Sequence, residues 1–182
     1  SLETLANLDK MAGFYEEISV KGMFSSEEDR EELNDLNNKV NMLLQYKAFE
    51  QAAAGAEKAL ALSIEITGEK SGETNTWLEL AGKANYMVGK LERAEELYKN
   101  RIENSKKAKL LNFFPYESYF GLADVYERQG KYIKVKELYQ SVLFQIEKED
   151  TSTGQIDTIN NSWYKEELYN RYAMFSHRTG DF

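Results

Sequence analysis

Residues 119–139 read YFGLADVYERQGKYIKVKELY, and the punctuation of this stretch decides the fold. Tyr119, Leu122, Ala123 and Tyr126 recur at steps of three and four, the spacing that lines one face of an α-helix. Tyr132, Val135, Leu138 and Tyr139 make a second stripe, continued by Val142 and Ile146. Gln129-Gly130-Lys131 stands between them. Glycine enters the left-handed conformation that ends a helix without a Cβ clash, so Gly130 predicts a stop and a reversal. The stretch reads as a helical hairpin.

The same arrangement returns on either side. Trp77, Ala81, Ala84 and Val88 form a stripe, Gly89-Lys90 a turn, and Leu91, Ala94, Leu97, Tyr98 and Ile102 a second stripe. Gly89 precedes Gly130 by 41 residues. A further 42 residues back, a turn falls at Lys47, with Leu43 and Leu44 before it and Phe49, Ala52, Ala56 and Ala59 after it. Forward, Tyr169, Tyr172 and Ala173 lead to Gly180, 50 residues beyond Gly130, and a polar insert around Glu149–Gly154 accounts for the longer step. Repetition at a long, near-constant period is the mark of a solenoid. A loop is expected over Thr67–Thr74. Leu2, Leu5, Ala6, Phe14, Tyr15 and Ile18 form an amphipathic helix one period before the first hairpin.

Local end signals agree with this division. Ser25 and Glu28 have the spacing of a capping box, so a long helix is expected to start there. Pro115 suits the first turn of a helix, where its missing N–H costs nothing. Asn160, Asn161 and Ser162 read as helix-capping residues before Trp163.

Composition narrows the chemistry. The chain has one proline, no cysteine and one histidine (His177), against 12 Tyr and 9 Phe. Without cysteine there is no disulfide, thiol nucleophile or Cys-based zinc site. His177 has no ligand partner one helical turn away, so no metal site is expected. Gly68-Glu69-Lys70-Ser71 lacks the Gly-Lys-Ser/Thr core and the upstream glycine of a phosphate loop. Neighbouring carboxylates such as Glu27/Glu28 and Glu95/Glu96 diverge by roughly 100° on a helix and form no acid pair. No residue set supplies nucleophile, base and orienter together, so no catalytic residues and no cofactor are expected. The net charge of −8 repels nucleic acid. The densest basic run, Arg101 with Lys106, Lys107 and Lys109, lies where a helix should end and complements its dipole. No apolar run is long enough to cross a membrane, and no signal peptide is visible; a cytoplasmic address is the expectation.

The hairpins resemble the tetratricopeptide repeat family. Gly82, Gly89, Leu91, Ala94 and Tyr98 match its pattern in one hairpin, and Leu122, Ala123, Tyr126, Gly130, Tyr132 and Tyr139 in the next, where Val135 replaces the usual Ala. Lys47 stands where the pattern has Gly, and Ala56 where an aromatic is usual. The period of 41 to 42 exceeds the common repeat of about 34 and is similar to the long-repeat branch that includes kinesin light chains. The resemblance implies an all-α, right-handed superhelical solenoid of antiparallel helix pairs, about eight helices in all. It divides the chain into an orphan helix at 1–25, hairpins at 26–66, 74–108 and 115–149, and the first helix of a truncated repeat at 160–182. Both ends then fall inside a repeat, so further repeats of a longer chain, or a second copy, are expected to cover the C-terminal end.

The resemblance also implies a function: a non-enzymatic adaptor or assembly scaffold that binds a protein or peptide segment along a concave wall. By phase, that wall takes Asn37 and Asn41, then Lys83, Tyr86 and Met87, then Phe120, Asp124 and Arg128, then Asn170 and Met174. Asn side chains can hold backbone amides; Tyr86, Met87, Phe120 and Met174 can line apolar pockets. Glu79, Glu117, Asp124, Glu127 and Glu167 outnumber Lys83, Arg128 and Arg178 on the wall, so a neutral to mildly basic partner suits it and an acidic tail does not. The alternatives are a regulatory sensor of a short signalling peptide and a self-associating solenoid segment.

Overall fold

The computed structural model describes residues 26–107, 114–153 and 159–180. Among these described residues there are seven helices: α1 Glu27–Gln45, α2 Phe49–Thr67, α3 Gly72–Val88, α4 Leu91–Lys107, α5 Tyr116–Arg128, α6 Tyr132–Thr153 and α7 Ile159–Thr179. No strand occurs among the described residues. The all-α class expected from the spacing is the one observed. The expected helix at 1–25 lies outside the described residues. The chain divides into two compact units, Ser1–Phe113 with α1–α4 and Phe114–Phe182 with α5–α7.

One backbone device makes every expected turn. Gly89, Gly130 and Gly180 have φ of 93°, 71° and 70°, and Lys47 has φ of 60°. Lys47 is the one non-glycine residue with positive φ among those described. At the first three turns the same backbone bond closes the helix: Ala48 N–H donates to Leu43 O at 2.8 Å, Lys90 to Asn85 O at 2.9 Å and Lys131 to Tyr126 O at 2.9 Å. Each bond satisfies a carbonyl that the last helical turn leaves without a partner.

In the first unit each helix packs on its neighbour in sequence, α1 on α2, α2 on α3 and α3 on α4. The three-residue links at 46–48 and the two-residue link at 89–90 force reversal of direction. Ala52, Ala53, Ala56 and Ala59 are fully buried, giving α2 a small-residue face on which Leu33, Val40, Trp77, Leu78 and Ala81 converge. A Cβ on Gly55 would stand 2.9 Å from Val40 Cγ2, which shows how close α1 and α2 come.

In the second unit α5 is almost wholly enclosed, with Tyr116, Tyr119, Phe120, Leu122, Ala123, Val125 and Tyr126 all buried. Tyr139 of α6 meets α7 through ring contacts with Tyr172 at 5.7 Å and Phe175 at 6.2 Å. Tyrosine therefore fills the space between one hairpin and the helix that follows.

Four end signals differ from expectation, each for a local reason. The capping box is Ser26 with Asp29, one residue later than Ser25 with Glu28. Asp29 N–H donates to Ser26 Oγ at 3.0 Å and Ser26 N–H to Asp29 Oδ2 at 3.1 Å. Pro115 is the N-cap and not a first-turn residue, because α5 begins at Tyr116. Asn160, Asn161 and Ser162 lie within the first turn of α7, which starts at Ile159, and not ahead of it. The loop at Thr67–Thr74 shrinks to 68–71, since Thr67 ends α2 and Thr74 lies in the first turn of α3. Hydroxyl bonds hold it shut: Thr67 Oγ1 and Ser71 Oγ are 2.6 Å apart at a half-buried site, and buried Thr74 Oγ1 donates to Gly68 O at 2.8 Å. The polar insert that lengthens the last step of the repeat is helical as far as Thr153, extending α6.

Candidate functional site

Three contacts in the second unit set the relation of α5 to α7. The rings of Tyr116 and Tyr164 stack at 4.7 Å and 3°. Arg171 Nη1 donates to Asp124 Oδ1 at 3.1 Å, and Arg178 Nη2 to Glu127 Oε2 at 2.7 Å. Residue numbers rise together along both helices, so α5 and α7 run parallel and side by side.

That geometry decides which side chains share a face. Tyr116 and Tyr164 point at each other. On parallel right-handed helices, the residue after the first and the residue before the second turn by roughly 100° toward the same side. Glu117 and Trp163 therefore face one way. Steps of seven and eleven residues return to the same stripe, adding Asp124 and Arg128 on α5 and Asn170 and Met174 on α7. Trp163 and Met174 are 58% and 64% exposed; Glu117, Arg128 and Asn170 are exposed too.

Four of the five expected wall residues in this unit thus share one face: Asp124, Arg128, Asn170 and Met174. Phe120 does not. It is 3% exposed and turned into the seam, where the Arg171 guanidinium lies 4.7 Å from its ring centroid. Its expected place as an open apolar pocket is corrected: the ring is a packing surface for a cation.

Arg171 is the residue that the sequence reading missed. It accepts neutralisation from two carboxylates, donating through Nε to Glu167 Oε1 at 2.7 Å as well as to Asp124. The i,i+4 spacing of Glu167 and Arg171 was a usable signal for that pair; the Asp124 contact, 47 residues away, had none. Burial lifts the Asp124 carboxyl above its ordinary value, while Arg171 pulls it back down. Trp163 was also missed, although it stands seven residues before Asn170. Its indole meets the Tyr164 ring edge-on at 4.9 Å and 73°, which fixes its orientation.

In the first unit the expected residues lie on exposed parts of α1 and α3. Asn37 and Asn41 are exposed and bonded to each other, with Asn41 Nδ2 donating to Asn37 O at 2.9 Å and Oδ1 at 3.0 Å. Their amides are thus partly engaged along the helix. Lys83 and Met87 are exposed and Tyr86 half-buried. Behind them, Arg93 of α4 grips Glu57 of α2 through two bonds, Nε to Oε1 at 2.9 Å and Nη2 to Oε2 at 2.7 Å. Buried Asn85 of α3 donates to the same Oε1 at 2.9 Å. One carboxylate so joins three helices. Hydrogen bonding from Arg93 holds the Glu57 carboxyl below its ordinary value against the opposing effect of burial.

Arg101, read from sequence as part of a helix-end basic run, is instead 7% exposed. Burial lowers its pKa, and Glu79 opposes that shift. Among the described residues no group of three His, Asp or Glu side chains is placed to hold a metal ion. No helix there is long and apolar enough to cross a membrane.

The chain matches no protein-family model, and no curated protein matches it in sequence.

Proposed function

We propose that the chain is a non-enzymatic protein-interaction module of tetratricopeptide-like hairpins, continuing as a right-handed superhelical solenoid, that holds a partner segment on its first helices. One observation carries this reading. α5 and α7, which this reading takes as the first helices of successive repeats, lie parallel and are tied by Arg171–Asp124 and Arg178–Glu127. Their shared face offers Trp163, Asn170 and Met174 to solvent. Exposed Trp and Met on a face held rigid by ion pairs suit capture of an extended segment, because little further ordering is needed on binding. Asn170 supplies a donor and an acceptor for the segment's backbone. The wall residues of the first unit, Asn37, Asn41, Lys83, Tyr86 and Met87, extend the same reading to α1 and α3.

A peptide library displayed against the purified chain tests it, alongside Met174→Asp. The variant should lose roughly tenfold or more in affinity, since a charge replaces an exposed apolar contact on the face. Peptides that bind the variant as well as the parent would place the site elsewhere. Tight dimerisation with no peptide bound would favour self-association instead.

A further inference from the structure

The chemistry around Trp163 specifies the partner more closely, on the reading that this face binds a segment. Among the described residues of the second unit, cations lie over two aromatic rings: Arg171 over Phe120 at 4.7 Å, and Lys134 and Lys131 over Tyr126 at 5.4 and 5.8 Å. Trp163 has the best ring for such a contact and is the more exposed, yet no described cation lies over it. On the same side stands Glu117, exposed and without an ion pair among the described residues. Of the neighbouring charges, Asp124 and Glu167 share the single cation Arg171. Among the described residues of this side and its seam, the carboxylates of Glu117, Asp124 and Glu167 therefore outnumber the Arg171 guanidinium. Toward the other end Arg178 pairs with Glu127, and Arg128 is exposed.

We infer that Trp163 and Glu117 form an anchor for one basic residue, Lys or Arg, of the partner segment, its cation laid on the indole and neutralised by the Glu117 carboxylate. The remainder of the segment runs over Asn170 toward Met174 and the Arg128 end. A neutral residue at the anchor would leave Glu117 without its counter-charge, and an acidic one would be repelled.

A positional-scanning peptide library provides the probe, with binding followed by tryptophan emission. Trp77 is 3% exposed, so emission changes report chiefly on Trp163. Bound sequences should require Lys or Arg at one position. Changing that residue to norleucine, or Glu117→Gln in the protein, should each weaken binding roughly fivefold or more, and the two changes together little beyond either alone. Trp163→Leu should weaken basic peptides more than Trp163→Phe, which keeps a ring; a merely structural role would not separate Leu from Phe in this way. Peptides that depend on Met174 but show no basic preference and no response to Glu117→Gln would overturn the anchor and leave the binding face standing. No peptide bound by the parent protein would overturn both.

Discussion

Gly82 of α3 lies against the ring of Tyr98 of α4: a Cβ built on Gly82 would stand 2.9 Å from Tyr98 Cε1 and 3.0 Å from Cζ. Tyr98 is itself 4% exposed and cannot swing clear. Gly82→Ala gains about 1 kcal/mol of helix propensity but forces overpacking that costs about 1–3 kcal/mol. A net loss of about 1 kcal/mol is expected, read as a lower urea midpoint at unchanged slope. A gain in stability would show that α3 and α4 can separate without penalty.

Lys47 and Gly130 make the same turn with different side chains, and substitution should act in opposite directions. Lys47→Gly removes a Cβ from the left-handed region and should stabilise the chain by about 0.5–1 kcal/mol. At Gly130 an added Cβ meets nothing within 4 Å, so the φ of 71° alone decides the outcome. Gly130→Ala should cost about 1–2 kcal/mol. Thermal melts of the two variants against the parent check both signs.

Thr74 is wholly buried and its hydroxyl donates to Gly68 O at 2.8 Å, with Ser63 Oγ at 3.2 Å. Thr74→Val keeps the shape and deletes the donor. Leaving the Gly68 carbonyl without this partner should cost about 1–3 kcal/mol. Hydrogen exchange should quicken at the α2–α3 junction before it quickens in α1; uniform change along the first unit would argue against a local role.

Glu57 gives the first unit a defined response to acid. Bonding to Arg93 lowers its folded-state pKa below the unfolded value. Its contribution is thus fully present above the unfolded carboxylate pKa and fades as pH falls through the lower, folded one. Glu57→Gln should destabilise at neutral pH, by about 1 kcal/mol for a pair a third exposed, and flatten the loss of stability in that acidic window. Urea midpoints of parent and variant should converge there. Curves that stay parallel to low pH would remove Glu57 from the acid response.

The helices and their ends were largely legible because they depend on neighbours in sequence. Apolar residues at three- and four-residue steps fix a buried stripe whatever it packs against, as with Tyr119, Leu122, Ala123 and Tyr126. A left-handed residue closes the helix before it: Gly89 and Gly130 declare that turn by residue type, and Lys47 by its phase alone. Ends that rest on one side-chain bond were less secure: the capping box moved by a residue because Asp29 serves Ser26 as well as Glu28 could serve Ser25.

The face on α5 and α7 was legible as a set of positions and not as a surface. Asp124, Arg128, Asn170 and Met174 follow from helical phase. The inward turn of Phe120, the grip of Arg171 on Asp124 and the placing of Trp163 and Glu117 on one side do not, since each depends on which helix lies alongside and in which direction. Sequence by itself determined an all-helical chain, its turns and the absence of cysteine chemistry, because these are properties of single residues and of local backbone. Only the tertiary structure decided that Arg171 would reach Asp124 as well as Glu167, that Glu57 would join three helices and that Trp163 would stand open on the side of Glu117. Contacts between residues some 30 to 50 positions apart are set by packing, and no local pattern records them.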